Sequence, residues 1–220
     1  MTIIELMGYP GSGKTTLLKE IKLKNSIILT TEKFYIECSK INKFKKIKHS
    51  LFWNIKNIKF VFLLMKYVIL HGIPKMYCIR RVIEIIKYIS LFEIILEKYN
   101  QLDIVIFDQG IIQYIWSLEF ENYTSPLKDS KELKELLHTI VSKYPIKVIY
   151  YNIESSIAAT RSVTRKGDCP LDSLSFEQVK LLYNLHNNDW RLFEKYLKRG
   201  FEMLDYSEDI LTDMQKILGA

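Results

Sequence analysis

The sequence predicts an α/β fold, a parallel sheet of five strands layered between helices, and three observations carry that expectation. Short apolar, β-branched runs alternate with longer segments of helical period, the pattern of strand–helix–strand crossovers. The first run, Ile3 to Met7, breaks at Gly8 into a glycine-bearing loop that opens directly into a helical pattern. The third, Ile104-Val105-Ile106-Phe107, is continuously apolar and ends in Asp108, as expected of a strand buried on both faces. At 220 residues the chain can bury one large core but is short for two, so a single domain spanning 1–220 with insertions is expected. Only 8 Gly and 5 Pro, with 48% hydrophobic residues, exclude a disordered chain.

The loop after the first strand reads Gly8-Tyr9-Pro10-Gly11-Ser12-Gly13-Lys14-Thr15-Thr16, which is G-x-x-x-x-G-K-T with a strand before it and a helix after it. Glycines let backbone N–H groups turn inward, forming an anion cradle at a helix N-terminus whose dipole also favours phosphate. Gly8, Gly11, Ser12, Gly13 and Thr16 are therefore candidate nucleotide contacts. Lys14 is expected to reach the β- and γ-phosphates, and Thr15 to offer its hydroxyl to Mg²⁺. A guanine-reading N-K-x-D is missing, since Asn42-Lys43-Phe44-Lys45 lacks the Asp, and no glycine-rich transporter signature precedes the acidic strand.

The second strand, Ser26 to Thr30, leads to Glu32, which the open-sheet rule directs toward the crevice at the strand C-termini. Lys40 to Lys59 is basic with interleaved aromatics, and helical patterns follow over about Asn57–His71 and Lys75–Tyr99, broken by Gly72-Ile73-Pro74. The second of these is apolar around most of its circumference (Val82, Ile83, Ile86, Ile89, Phe92), which predicts burial against the sheet. Asp108, ending the third strand, is expected to meet Mg²⁺ or its waters. A helix over Ile111–Leu118, a loop over Tyr123–Asp129, an amphipathic helix over Ser130–Lys143 and a fourth strand over Ile146–Tyr151 come next. The helix Glu154–Thr164 carries Arg161, with Arg165 four positions on; that spacing predicts two guanidinium groups on one face, suited to charge on a migrating phosphoryl group. A single helix over Phe176–Lys198, a strand over Phe201–Asp205 and a helix over Glu208–Leu218 complete the expectation.

Charge is concentrated. Between Cys38 and Ile83 there are eleven Lys and Arg and no acid, more positive charge than the net +7 of the whole chain. A local anionic partner fits this better than general nucleic-acid coating. A solvated helix face is the commoner reading of such a run, with a nucleic-acid or membrane surface as the alternative, and Arg80 and Arg81 are candidates to clamp a phosphate on the second substrate. Cys38, Cys78 and Cys169 show no metal-ligand spacing and read as reduced thiols of a cytoplasmic protein. No leader segment is expected ahead of the first strand, and Phe60–Leu70 is about half of the ~20 residues a membrane span requires. The apolar helices between Asn57 and Tyr99 could pair in a homodimer as readily as pack internally.

With these residues in place, the chain resembles the nucleoside and nucleotide kinases among P-loop proteins, thymidylate kinase-like proteins in particular. The resemblance rests on GYPGSGKTT at 8–16, IVIFDQG at 104–110, ATRSVTRKGD at 159–168 and FEMLDYSEDILTDMQKIL at 201–218. It implies a three-layer P-loop fold with a helical acceptor region (40–100) and an arginine-bearing lid (159–172), and γ-phosphate transfer from ATP to a small-molecule acceptor. On that model Gly13, Lys14 and Thr15 hold the phosphates and Mg²⁺, and Arg161 and Arg165 close over the transferring group. Asp108 anchors the metal or orients the acceptor, Glu32 takes a hydroxyl proton, and Tyr206 and Ser207 lie near adenine. Thymidylate kinases follow the strand Asp with Arg, whereas this chain has Gln109. A neutral amide cannot replace bidentate guanidinium binding, which favours a hydroxyl acceptor such as a nucleoside, a sugar or a glycan precursor over a nucleoside monophosphate. The competing expectations are an ATP-driven switch acting on a nucleic-acid or membrane partner, and a kinase of polynucleotide ends.

Overall fold

The structure is a computed structural model and describes residues 1–21, 23–70, 75–120, 128–165, 174–207 and 209–218, without the side chains of 75–79, 81, 119 and 120. Five parallel strands, β1 (Thr2–Met7), β2 (Ser26–Leu29), β3 (Ile104–Phe107), β4 (Ile146–Asn152) and β5 (Phe201–Asp205), form one sheet in the order β2-β3-β1-β4-β5. β1 lies at the centre, with Ile4 opposite Ile106 of β3 and Lys147 of β4. The sheet order reverses beside β1, so the crevice at its C-terminal end is where an open α/β sheet binds ligand.

Alternation along the strands divides the core in two. Ile3 and Met7 of β1, with Val105, Phe107, Val148 and Tyr150, belong to the larger cluster, while Ile4, Leu6, Ile106 and Ile149 face the smaller one. The smaller layer is closed by α1 (Lys14–Glu20) and α11 (Ile210–Leu218), through Leu17, Leu18, Met214 and Leu218. The larger layer takes α5 (Lys75–Lys98), α6 (Ile111–Phe120) and α7 (Lys131–Lys143), with α2 (Thr31–Ser39), α3 (Lys43–Lys56) and α4 (Ile58–Leu70) packed outside or beside them. α8 (Ser155–Thr164), α9 (Phe176–Leu185) and α10 (Trp190–Leu197) flank the β4–β5 side.

Glu32 stands in the first turn of α2: Thr30 caps that helix by accepting a hydrogen bond from the Lys33 N–H, and the helix starts at Thr31. Three local expectations need correction. The expected single helix from Phe176 is two, α9 and α10, separated by His186-Asn187-Asn188-Asp189, where Asn and Asp favour turn geometry. α5 is not buried all round, since Ile83 is exposed. α8 ends at Thr164, so Arg165 is its extended C-cap and not a fourth-position helical neighbour of Arg161. The Gly72–Pro74 break, most of the 123–129 loop, lid residues 166–172, Glu208 and the side chains of Arg81, Cys78 and Cys169 lie outside the described residues. Cys38 is a buried free thiol, pushed up to about 11 by burial. Among the described residues, no helix is long and apolar enough to cross a membrane.

One buried carboxylate inside the sheet organises the site from behind. Glu5 of β1 alternates onto the larger layer and is 1% exposed, and no cation pairs with it among the described residues. It sits at the N-terminus of α6, where Oε1 accepts from the Gln113 N–H (2.5 Å) and Oε2 from the Ile112 N–H (3.2 Å). Gly110 approaches the carboxyl so closely that a Cβ there would overlap it. Burial pushes Glu5 up to about 7, against the opposing pull of those backbone donors.

Candidate nucleotide and acceptor site

Apart from Arg80 and Arg81, the residues singled out from the sequence for the site line one cleft of about 1550 Å³ at the C-terminal end of the sheet. The floor is the loop between β1 and α1. Gly13 caps α1 in a left-handed conformation (φ 100°) and Gly11 is also left-handed (φ 77°), so the loop can turn its N–H groups toward an anion. A Cβ on Gly11 would lie 2.5 Å from the Ala158 carbonyl and 2.6 Å from Ser162 Oγ, because α8 packs directly against the loop.

Residues not singled out from the sequence hold the loop in place. Gln113 Oε1 accepts from the Gly8 N–H (2.9 Å), which ties the loop to the helix that Glu5 caps. Tyr9 stacks on Tyr183 (centroids 4.5 Å apart) and donates to its carbonyl (2.8 Å), while Tyr183 and Ser162 hydroxyls both reach the Pro10 carbonyl. Each of these partners lies more than 100 residues from the loop, so no local motif announces them.

Lys14 Nζ donates to the carbonyls of Gly8 (2.7 Å) and Tyr9 (2.9 Å) and lies 3.2 Å from Ser12 Oγ. Burial lowers its ammonium to about 8; Asp108 opposes the shift and Arg165 adds to it. Thr15 Oγ1 donates to Asp108 Oδ2 (2.9 Å). Thr31 Oγ1 lies 3.0 Å from Asp108 Oδ1 and 3.1 Å from Gln109 Oε1, and its one proton serves one or the other. Thr15 and Asp108 thus present a hydroxyl and a carboxylate oxygen side by side next to a phosphate cradle. Those hard oxygen donors fit Mg²⁺, which is commonly held by one or two protein oxygens together with substrate phosphates.

Across the cleft, Arg161 donates from Nη1 to the Ser12 carbonyl (3.3 Å) and from Nη2 to the Tyr206 hydroxyl (3.4 Å), with its guanidinium 5.3 Å above the Tyr206 ring. Arg165, Tyr206 and Ser207 line the same wall. At the other end Glu32, in the first turn of α2, is exposed and makes no hydrogen bond or ion pair among the described residues. Arg80 does not join the site: it is exposed, pairs with Glu84 one turn on (2.9 Å) and is not part of the cleft lining.

No protein-family model matches the chain, and no curated protein matches it in sequence. Among solved structures it is similar to deoxyadenosine kinase from M. mycoides with bound dATP, at 16% identity and a TM-score of 0.50, over 100% of both chains. It also aligns with shikimate kinase from Bacteroides thetaiotaomicron, at 15% identity and a TM-score of 0.44, over 100% of this chain and 99% of that one. The likeness to the first of these concerns the α/β fold, a five-stranded parallel sheet among helices.

Proposed function

We propose that the chain is an ATP- and Mg²⁺-dependent kinase that transfers the γ-phosphate to a small acceptor, preferentially at a hydroxyl group. The observation that carries this reading is the convergence of Lys14, the Thr15–Asp108 pair, Arg161 and Arg165 on one cleft floored by a left-handed glycine loop. A fold shared with nucleotide-binding kinases agrees with it, and one such neighbour holds dATP.

Loop N–H groups and Lys14 bind the β- and γ-phosphates, holding the γ-phosphorus in position for in-line attack. Thr15 and Asp108 are the residues that would hold Mg²⁺, which would supply neutralisation of phosphate charge there. Arg161, already fixed by Ser12 and Tyr206, and Arg165 offer guanidinium donors where charge spreads over the migrating group. The two carboxylates divide the remaining work. Asp108 is engaged by threonine hydroxyls, which suits a metal-side role, whereas Glu32 is unengaged and exposed at the cleft, which suits a base that takes the acceptor's proton. Adenine is assigned to the Tyr206–Ser207 wall.

Gln109 and Arg80 support a neutral acceptor. Gln109 is neutral and shares the Thr31 hydroxyl, and Arg80 is turned to Glu84, so neither offers a guanidinium fork to an acceptor phosphate. A nucleoside, sugar or glycan precursor fits that end better than a nucleoside monophosphate. The test is ADP release from ATP and Mg²⁺ against nucleosides, nucleoside monophosphates, sugars and oligonucleotides, with Lys14→Ala as the blank. Stimulation by a neutral acceptor with a phosphorylated product seen by mass supports the reading. ATP binding with no stimulated turnover favours the ATP-driven switch.

A further inference from the structure

We infer that the outer face of α3 and α4 is a docking surface for an anionic lipid bilayer. The inference begins with which side of each helix is buried. In α3 the core-facing residue is Trp53 (3% exposed), with His49 Nδ1 3.2 Å from Ser90 Oγ of α5 on the same side. On a 3.6-residue period Phe44, Ile47, Leu51 and Ile55 fall on the opposite side. Phe44 is 83% and Ile55 75% exposed, so the apolar stripe of this helix points into solvent. α4 repeats the arrangement: Phe60, Leu64 and Tyr67 are buried, and Ile58, Phe62, Met65 and Ile69 form an exposed stripe opposite them.

Such a face is the reverse of a solvated helix surface, which would turn its polar residues outward. Two consecutive helices showing it amount to a patch rather than scattered apolar residues. The charges beside it identify the occupant. Lys43, Lys45, Lys48, Lys56 and Lys59 are exposed along the stripes, without an acidic partner among the described residues, and neither helix contains Asp or Glu. Lys66 pairs with Glu132 of α7, leaving the other lysines for an external anion.

A second copy of the chain would set these lysines against their own images with no carboxylate on the face to answer them. A nucleic-acid backbone would satisfy the lysines but leave two aliphatic and aromatic stripes in water. An anionic bilayer satisfies both: apolar side chains enter the headgroup–acyl boundary while lysine ammonium groups remain at the phosphate level. The surface itself does not depend on the kinase reading.

The test is flotation of the full chain, without ATP, with vesicles of phosphatidylcholine alone or containing one-third phosphatidylglycerol. Binding to the anionic vesicles is expected, weakening with added salt as lysine contacts are screened. Leu51→Glu/Ile55→Glu should lower apparent affinity at least tenfold, and Lys45→Glu/Lys56→Glu similarly at low salt. These side chains are exposed, so thermal midpoints should stay at the wild-type value. Failure of the wild type to bind anionic vesicles at low salt overturns the inference, as does wild-type binding by Leu51→Glu/Ile55→Glu. A dimer in sedimentation velocity that Leu51→Glu/Ile55→Glu dissociates, without vesicle binding, reassigns the face to a second copy. Salt-dependent binding to oligonucleotides that Lys45→Glu/Lys56→Glu removes, again without vesicle binding, reassigns it to nucleic acid.

Discussion

Replacing Glu5 by Gln should remove a pH dependence of stability that belongs to one side chain. Glu5 is pushed by burial from 4.5 in an ordinary setting to about 7 in the folded chain. Between those values the native state holds a proton that the unfolded chain has released, so the protonated form favours folding and stability falls as pH rises through this window. A displacement of about 2.5 pH units corresponds to about 3 kcal/mol, fully present below pH ~4.5 and lost above pH ~7. Gln keeps the shape and one acceptor for the α6 N–H groups but cannot ionise, so it mimics the protonated carboxyl. Urea denaturation of wild type and Glu5→Gln at a series of pH values isolates the effect, because other titrations are common to both and cancel in the difference. The wild type should lose about 3 kcal/mol relative to Glu5→Gln between pH 4.5 and 8. A difference that is constant across that range, or that grows in favour of the wild type, would refute the account of Glu5 as a buried carboxyl without a cation.

Four further outcomes are expected. Asp108→Asn should lower turnover at least about tenfold and raise the Mg²⁺ concentration needed, while ATP binding measured by calorimetry survives. Because the free-enzyme Lys14 ammonium is lowered to about 8, kcat/KM for ATP should decline as pH rises through that value, since the neutral amine no longer attracts phosphate; a flat profile to pH 9 argues against it. Gly11→Ala combines a left-handed φ of 77° with a Cβ 2.5 Å from the Ala158 carbonyl, and should cost about 3 kcal/mol or more, seen as a lowered thermal midpoint. Arg161→Lys keeps the charge but loses the fork shared between Ser12 and Tyr206, so kcat should fall about tenfold or more with little change in stability.

What could be read from the sequence was whatever a residue does through its neighbours in the chain. The glycine loop, the strand ending in Asp108 and the strand Phe201–Asp205 carry their own local signals, and the structure has them at those places. Glu5 and Gln113 were illegible for the opposite reason. Their partners lie 107 and 105 residues away across the sheet, and an isolated Glu within an apolar strand or a Gln on a helix has no pattern of its own. The break after Leu185 did have a signal, the Asn187-Asn188-Asp189 cluster, overridden in the reading by the helical period on either side. α3 shows a different limit. Its apolar periodicity marks a stripe, but periodicity is the same whether the stripe faces the core or the solvent, and only the position of Trp53 against α5 decides between them.

The strand order has a consequence for how the chain is made. β1 is the first of the five strands to be made but occupies the middle of the sheet, and both of its partners, Ile104–Phe107 and Ile146–Asn152, leave the ribosome much later. The glycine loop is therefore held by a strand that pairs late, and its braces come in turn, Gln113 just after β3, then Ser162 and Tyr183 after β4. High affinity for ATP should be acquired late, appearing in nested C-terminal truncations only once both the α9 tyrosine and the Tyr206–Ser207 wall have been included.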